Sequence, residues 1–215
     1  MSATLVIECS TPRATVALVD GEVVTQREFT SERNHNAMLF EPLQELLGGR
    51  KNIERVLVGS GPGSYSGTRV GIAAAQGVGL ALTCPVIAVP SILAVPAADD
   101  GEACIAVGDA RRGSYWTAAI EHHALTHEPQ LCDIEGLKSA ISNADGAIFA
   151  FEPDEQFPVG DLRSKISLQF PDASRLWQAW QKSSAVQQEA WQAEVAQPIY
   201  LKPPHITPGK RKPLV

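Results

Sequence analysis

Hydrophobic and polar positions change period several times along the chain, and each change marks an element. Thr4 to Glu8 and Ala14 to Val19 are short apolar runs, Asp20-Gly21 follows, and Glu22 to Phe29 alternates. Asp-Gly between two such runs is a strong hairpin signal, so the chain is predicted to open as an antiparallel meander of three strands. His35 to Leu47 carries Met38, Leu39, Leu43, Leu46 and Leu47 at spacings of three and four, which predicts an amphipathic helix. Gly48-Gly49 ends it, and Pro42 inside it predicts a kink or a late start. Ile53 to Val58 reads as a fourth strand, Thr68 to Leu82 as a helix of small residues, and Pro85 to Val89 as a fifth strand. Pro90, Pro96 and Asp99-Asp100-Gly101 then mark a boundary.

The second half starts in the same way. Ala103 to Val107 and Tyr115 to Ile120 are strands around the turn Asp109-Ala110-Arg111-Arg112-Gly113, and Ala124 to Cys132 is a third. Ile134 to Ser142 reads as a helix and Ala147 to Phe151 as a strand. Pro171 to Gln197 reads as mostly helical, with Leu176, Trp177, Trp180 and Trp191 as core anchors. A β-β-β-α-β-α plan that begins twice without sequence identity predicts two related lobes, about 1–97 and 98–215, the final helix and tail returning to the first.

The most constrained stretch is Gly59-Ser60-Gly61-Pro62-Gly63-Ser64-Tyr65-Ser66-Gly67-Thr68-Arg69-Val70-Gly71, between a buried strand and a helix. A strand, a glycine loop and a helix N-terminus place backbone amides where an anion or another chain can meet them. Gly61, Gly63 and Gly67 permit positive φ or close backbone approach, and Pro62 stiffens the turn. It is not a P-loop, since Gly67-Thr68 lacks the lysine. It has one residue too many for a dinucleotide fingerprint, and Pro85 to Pro90 holds no acid. Tyr65 occupies the centre of what would be a nucleophile elbow, which leaves Ser64 and Ser66 as turn hydroxyls. In the following helix Gly77 and Gly79 each cost about 1 kcal/mol against Ala. Close packing must offset that cost, against the lobe's own sheet or against another protein's helix.

Composition narrows the function classes. Net charge −6 over 215 residues argues against a large phosphate-binding surface of the protein's own. Lys202, Lys210, Arg211 and Lys212 gather among prolines near the end, which reads as a solvated tail, with a weak contact to RNA or a partner as the alternative. No apolar run approaches the roughly 20 residues that span a bilayer, and Met1-Ser2-Ala3-Thr4 lacks a basic leader. A cytoplasmic protein is expected, with Cys9, Cys84, Cys104 and Cys132 as free thiols. His123 and His127 could chelate a metal on a helix, but on an extended turn they stand about 13 Å apart. No metal site is expected.

These residues resemble the bacterial TsaB family, also called YeaZ. Leu5 to Thr11 is similar to its opening strand and Asp-Thr-Ser turn, and Ser31 to His35 to its Arg-x-His-Ser segment. Gly59 to Gly71 resembles its motif Gly-x-Gly-Pro-Gly-Ser-Phe-Thr-Gly-x-Arg-x-Gly, with Tyr65 and Ser66 as replacements. Asp109 to Tyr115 resembles its second-lobe motif, and Pro198 to Pro203 its closing Tyr-Leu-Arg segment. The resemblance implies an actin/Hsp70/sugar-kinase-like (ASKHA, ribonuclease H-like) α/β fold, each lobe a mixed sheet with helices. It implies a non-catalytic scaffold for N6-threonylcarbamoyladenosine formation at position 37 of tRNA. Such a scaffold supports a TsaD-like transferase, is joined by a TsaE-like ATPase, can form a homodimer, and meets tRNA only through the complex, with no membrane involved.

Carried onto this chain, the resemblance nominates Leu39, Leu43, Leu46, Ala73, Ala74, Gly77 and Ala81 as a helix seam for the transferase. It nominates Gly59, Gly61, Pro62, Gly63, Ser64, Gly67 and Arg69 as the glycine loop, and Asp109, Arg111, Arg112 and Gly113 as the second-lobe turn. Two departures bear on chemistry. The transferase has a His-x-x-x-His metal pair after its fifth strand, where this chain has Pro90 to Val95 without histidine. The family's first turn usually carries Asp, where this chain has Glu8-Cys9. No tightly bound cofactor is expected, and there is room only for weak ATP or ADP binding at the complex interface. The alternative is an ATP-dependent small-molecule kinase or ATPase of the same fold, with Glu8 and Asp109 as its acids.

Overall fold

The computed structural model describes residues 2–30 and 35–202. The basic tail from Lys210 to Lys212 and the segment Ser31 to Asn34 lie outside the described residues. The first lobe comprises β1 (Ala3–Glu8), β2 (Arg13–Asp20), β3 (Val23–Thr30), α1 (His35–Leu47), β4 (Ile53–Gly59), α2 (Tyr65–Leu82) and β5 (Val86–Val89). Its sheet runs β3-β2-β1-β4-β5, antiparallel across the opening meander and parallel from β1 to β4 to β5. β1 is buried along its whole length because both faces are covered. Leu5 and Ile7 point to the layer of α1 and α2, among Leu39, Leu43 and Ile72, while Val6 points the opposite way.

The second lobe comprises β6 (Cys104–Asp109), β7 (Tyr115–Glu121), β8 (Ala124–Leu125), β9 (Gln130–Cys132), α3 (Ile134–Ser142), β10 (Ala147–Ala150) and β11 (Ile166–Leu168). Its sheet runs β11-β10-β6-β7-β8, with β9 also pairing with β7. The expected third strand over Ala124 to Cys132 is thus two short strands, separated where Pro129 cannot donate to a ladder. β11 has no counterpart among the expected strands; it is three residues long and buries only Ile166.

Two closing helices, α4 (Ala173–Lys182) and α5 (Ala185–Ala193), occupy the helical region expected over Pro171 to Gln197. They separate at Ser183-Ser184, where the Ser183 hydroxyl donates to the Ala179 carbonyl and the Ser184 hydroxyl accepts from the Gln187 amide. Leu176 and Trp180 of α4 pack with Val6, Ala17 and Leu57 on the first sheet's other face. That sheet is therefore a filling between α1/α2 and α4. Short 3-10 turns at Ser91–Leu93 and Pro96–Ala98 join the lobes, and Ile92, Leu93 and Val95 in this region are core residues.

Candidate functional site

Two features collect the residues singled out by sequence: the glycine loop in the cleft between the lobes, and the outer surface of α1 and α2. The loop is wired to the β1–β2 turn beside it. The Ser64 amide donates to the Ser10 carbonyl at 2.6 Å, and the Gly61 amide donates to the Ser91 hydroxyl at 3.0 Å. Gly61 has φ +85° and its bond to Pro62 is cis. A Cβ on Gly63 would fall 2.3 Å from the Ser10 carbonyl oxygen, so close approach demands glycine there. The Ser64 hydroxyl accepts from the Gly67 amide and caps α2, which is why the helix starts at Tyr65, earlier than its small-residue run indicates.

Glu8 departs from its expected placement. It is fully buried, its Oε1 accepts from the Ser10 amide at 2.6 Å, and its Oε2 lies where a side chain on Gly59 would sit. Burial pushes its carboxyl up and the Ser10 contacts pull the other way. Glu8 does not border the cleft, so the ATPase alternative loses one of its two acids. Cys9 beside it packs against Gly71, and burial pushes its thiol up as well.

The cleft has a volume of about 1110 Å³ and is bordered by Ser10, Gly63, Arg69, Asp109 and Glu152 among others. Glu152 escapes sequence reasoning, because it lies in a stretch without a motif. Burial and the Asp109 charge push its carboxyl up to about 7. Asp109 Oδ1 accepts from the Arg111 amide at 2.7 Å and Oδ2 meets the Arg111 guanidinium at 3.2 Å. Arg111, Arg112 and Gly113 all have positive φ. Residues 198–202 border the mouth as a strap. Ile199 N donates to Ser60 O at 2.9 Å, the Tyr200 ring lies 6.1 Å from Tyr65, and Lys202 Nζ donates to the Ala110 and Arg111 carbonyls. His122 and His123 form the tight β7–β8 turn with positive φ, and His123 Nδ1 lies 3.3 Å from the Ala98 carbonyl.

The surface of α1 and α2 differs from the expected seam in one respect. Leu39, Leu43 and Leu46 are 0, 5 and 7% exposed and fill the lobe's own core, so they supply little contact surface. A buried stripe on a helix reads the same whether a sheet or a foreign helix covers it. Among the described side chains of α1, the large apolar ones that are exposed are Met38 and Phe40, at 45 and 58%. Phe40 falls outside the core period, the one sign by which it was detectable. Phe40, Tyr65, Ala73, Gly77 and Ala81 border an apolar groove of about 900 Å³, with the nearly buried Leu43 and Ala74 at its floor.

The helical glycines separate two roles. A Cβ on Gly79 would sit 2.5 Å from a Val86 methyl, and one on Gly71 would sit 3.2 Å from Cys9 Cβ. A Cβ on Gly77 would meet nothing within 4 Å. Internal packing therefore demands glycine at 79 and leaves little room at 71, and the fold makes no such demand at 77.

Comparison with known proteins accords with this architecture. Residues 22–133 match the family model of TsaD, tRNA N6-adenosine threonylcarbamoyltransferase. The chain belongs to this TsaD/TsaB (YeaZ) family. It is 31% identical over 123 residues to an uncharacterized protein of Mycobacterium tuberculosis, covering 54% of this chain and 58% of that protein's own length. It is 25% identical over 166 residues to the tRNA threonylcarbamoyladenosine biosynthesis protein TsaB of Haemophilus influenzae, covering 73 and 70% of the two chains. The structure of YeaZ from Pseudomonas aeruginosa matches with a TM-score of 0.72 at 22% identity, covering 94% of this chain and all of that one. The two lobes of mixed sheet and helix are thus the YeaZ fold.

Proposed function

We propose that this chain is a non-catalytic scaffold subunit for N6-threonylcarbamoyladenosine modification of tRNA, docking a TsaD-like transferase through α1 and α2. The observation that carries the reading is Gly77. A glycine within a helix costs about 1 kcal/mol against alanine, and at 77 nothing in the fold requires it. It lies in a mainly apolar groove whose walls include Phe40, Ala73 and Ala81, with Tyr65 and Arg69 at its border, on an otherwise acidic protein. Small residues let a second helix approach closely, and about 800 Å² per partner makes a stable pair. A non-catalytic role is supported by the segment after β5. Where the transferase family places its metal pair, Ile92, Leu93, Ala94 and Val95 are buried among apolar neighbours.

The test is Gly77→Leu. The side chain has open space, so the variant is expected to fold and melt like the parent while losing association with the transferase at least a hundredfold in titration calorimetry. Undiminished association would remove α2 from the interface.

A further inference from the structure

The mouth of the cleft presents aromatic and cationic groups beyond the apolar groove: Tyr65 and Arg69 border both, while Tyr200, Arg111 and Lys202 border the cleft and not the groove. Tyr65 and Tyr200 are 59 and 52% exposed, with ring planes inclined by 48°. Arg69 lies over the Tyr65 ring, Cζ 5.0 Å from its centroid, and donates to the Tyr65 hydroxyl at 2.6 Å. From the opposite lobe the exposed Arg111 borders the same cleft, and the exposed Arg112 follows it in the turn. Arg69, Arg111, Tyr65, Tyr200 and Lys202 all border the one cleft.

The turn that carries the arginines is held in a costly shape. Arg111 and Arg112 have φ of +66° and +61°, a region that costs about 1–2 kcal/mol for each residue with a Cβ. The Asp109 carboxylate holds the turn from one side, and Lys202 on the strap holds its carbonyls at 3.0 and 3.1 Å from the other. Arg112 has no ion pair among the described residues.

We propose that this face binds RNA, with Tyr65 and Tyr200 stacking on unpaired bases and Arg69, Arg111 and Arg112 contacting phosphates. Charge complementarity favours it. Of the cleft's two acids, Asp109 is paired with Arg111, and Glu152 has its carboxyl pushed up to about 7 by burial and the Asp109 charge. Arg69 and Lys202 have no acidic partner among the described residues, and Glu128 and Glu194 border a separate, smaller pocket. Lys202, on the strap, adds a further cation to the same cleft. An acidic peptide would satisfy the cations but leave the aromatic faces unmet, whereas every unpaired base has a face to stack. The inference stands on these residues. That the RNA is a tRNA anticodon loop rests on the function proposed above.

Fluorescence anisotropy with a labelled anticodon stem-loop tests it, using the intact chain at two salt concentrations. The Arg111→Glu/Arg112→Glu variant is expected to bind at least tenfold more weakly, with a salt slope smaller by about 1.4, roughly 0.7 for each single-strand phosphate no longer neutralised. Tyr200→Ala is expected to weaken binding fivefold or more. Arg27→Glu, on the outer strand β3, is the control and should stay within twofold. Thermal melts confirm folding of each. Absence of saturable binding by the parent chain, or equal affinity of the double variant and the control, overturns the inference. Association with the transferase is measured in parallel. If the double variant loses that association and keeps its RNA affinity, the patch is a protein contact and the inference falls, while the function proposed above remains.

Discussion

Gly59, Gly71, Gly77 and Gly79 share a residue type and differ in what surrounds them, so each answers to a different cause. Gly59 makes room for the Glu8 carboxylate and Gly79 for the Val86 side chain, while Gly77 faces open space. Gly77→Ala should therefore raise stability by up to about 1 kcal/mol in urea titration. Gly79→Ala should lower it by about 1–3 kcal/mol, the usual cost of forcing atoms into a packed interior. Glu152 offers a test by pH. Its folded-state carboxyl, at about 7, holds a proton that the unfolded chain releases near 4.5. Stability is consequently lost as pH rises from about 4.5 to about 7, by up to about 3 kcal/mol. Glu152→Gln should melt higher than the parent at pH 8 and equally at pH 4; an equal gain at both would refute that account. None of these distinctions is written in the sequence. Gly77 and Gly79 look alike there, because the neighbours that tell them apart come from β5, reached only after the chain turns back.

Elements were more legible than residues wherever one face is buried by local pattern. The opening hairpin at Asp20-Gly21, the Leu39-Leu43-Leu46 stripe and the run before Gly59 all appear where their periods place them. The misses have physical reasons. α2 starts early because Ser64 caps it from inside the glycine loop. β11 is too short, and too exposed on two of its three residues, to show a period. The break between α4 and α5 rests on two serine hydroxyls, a weak signal in a polar stretch. The joint between α4 and the first lobe depends on Asp172. Its Oδ1 accepts from the Arg175 amide at 2.9 Å, its own amide donates to the Ala94 carbonyl, and the next amide reaches the Thr15 hydroxyl. Asp172→Ala removes the cap and should cost about 1–2 kcal/mol by chemical denaturation. A change under about 0.3 kcal/mol would mean that the Thr15 and Ala94 contacts suffice.

At the scale of the whole molecule, the two lobes enclose a cleft whose first-turn acid is sealed beneath Gly59, and the apolar groove lies on the outer face of α1 and α2. Two-lobed architecture was legible because the strand-strand-strand-helix plan starts twice. The division of labour between cleft and groove was not, since it depends on which side of α1 the sheet covers. On the function proposed above, this chain acts by lending a surface. Hydrogen–deuterium exchange of the intact chain, alone and with the TsaD-like transferase, examines that claim most directly. Slowed exchange is expected in α1 and α2, centred on residues 38–47 and 65–81, where docking reduces local opening. Protection confined to the second lobe, with α1 and α2 exchanging as in the free chain, would contradict it.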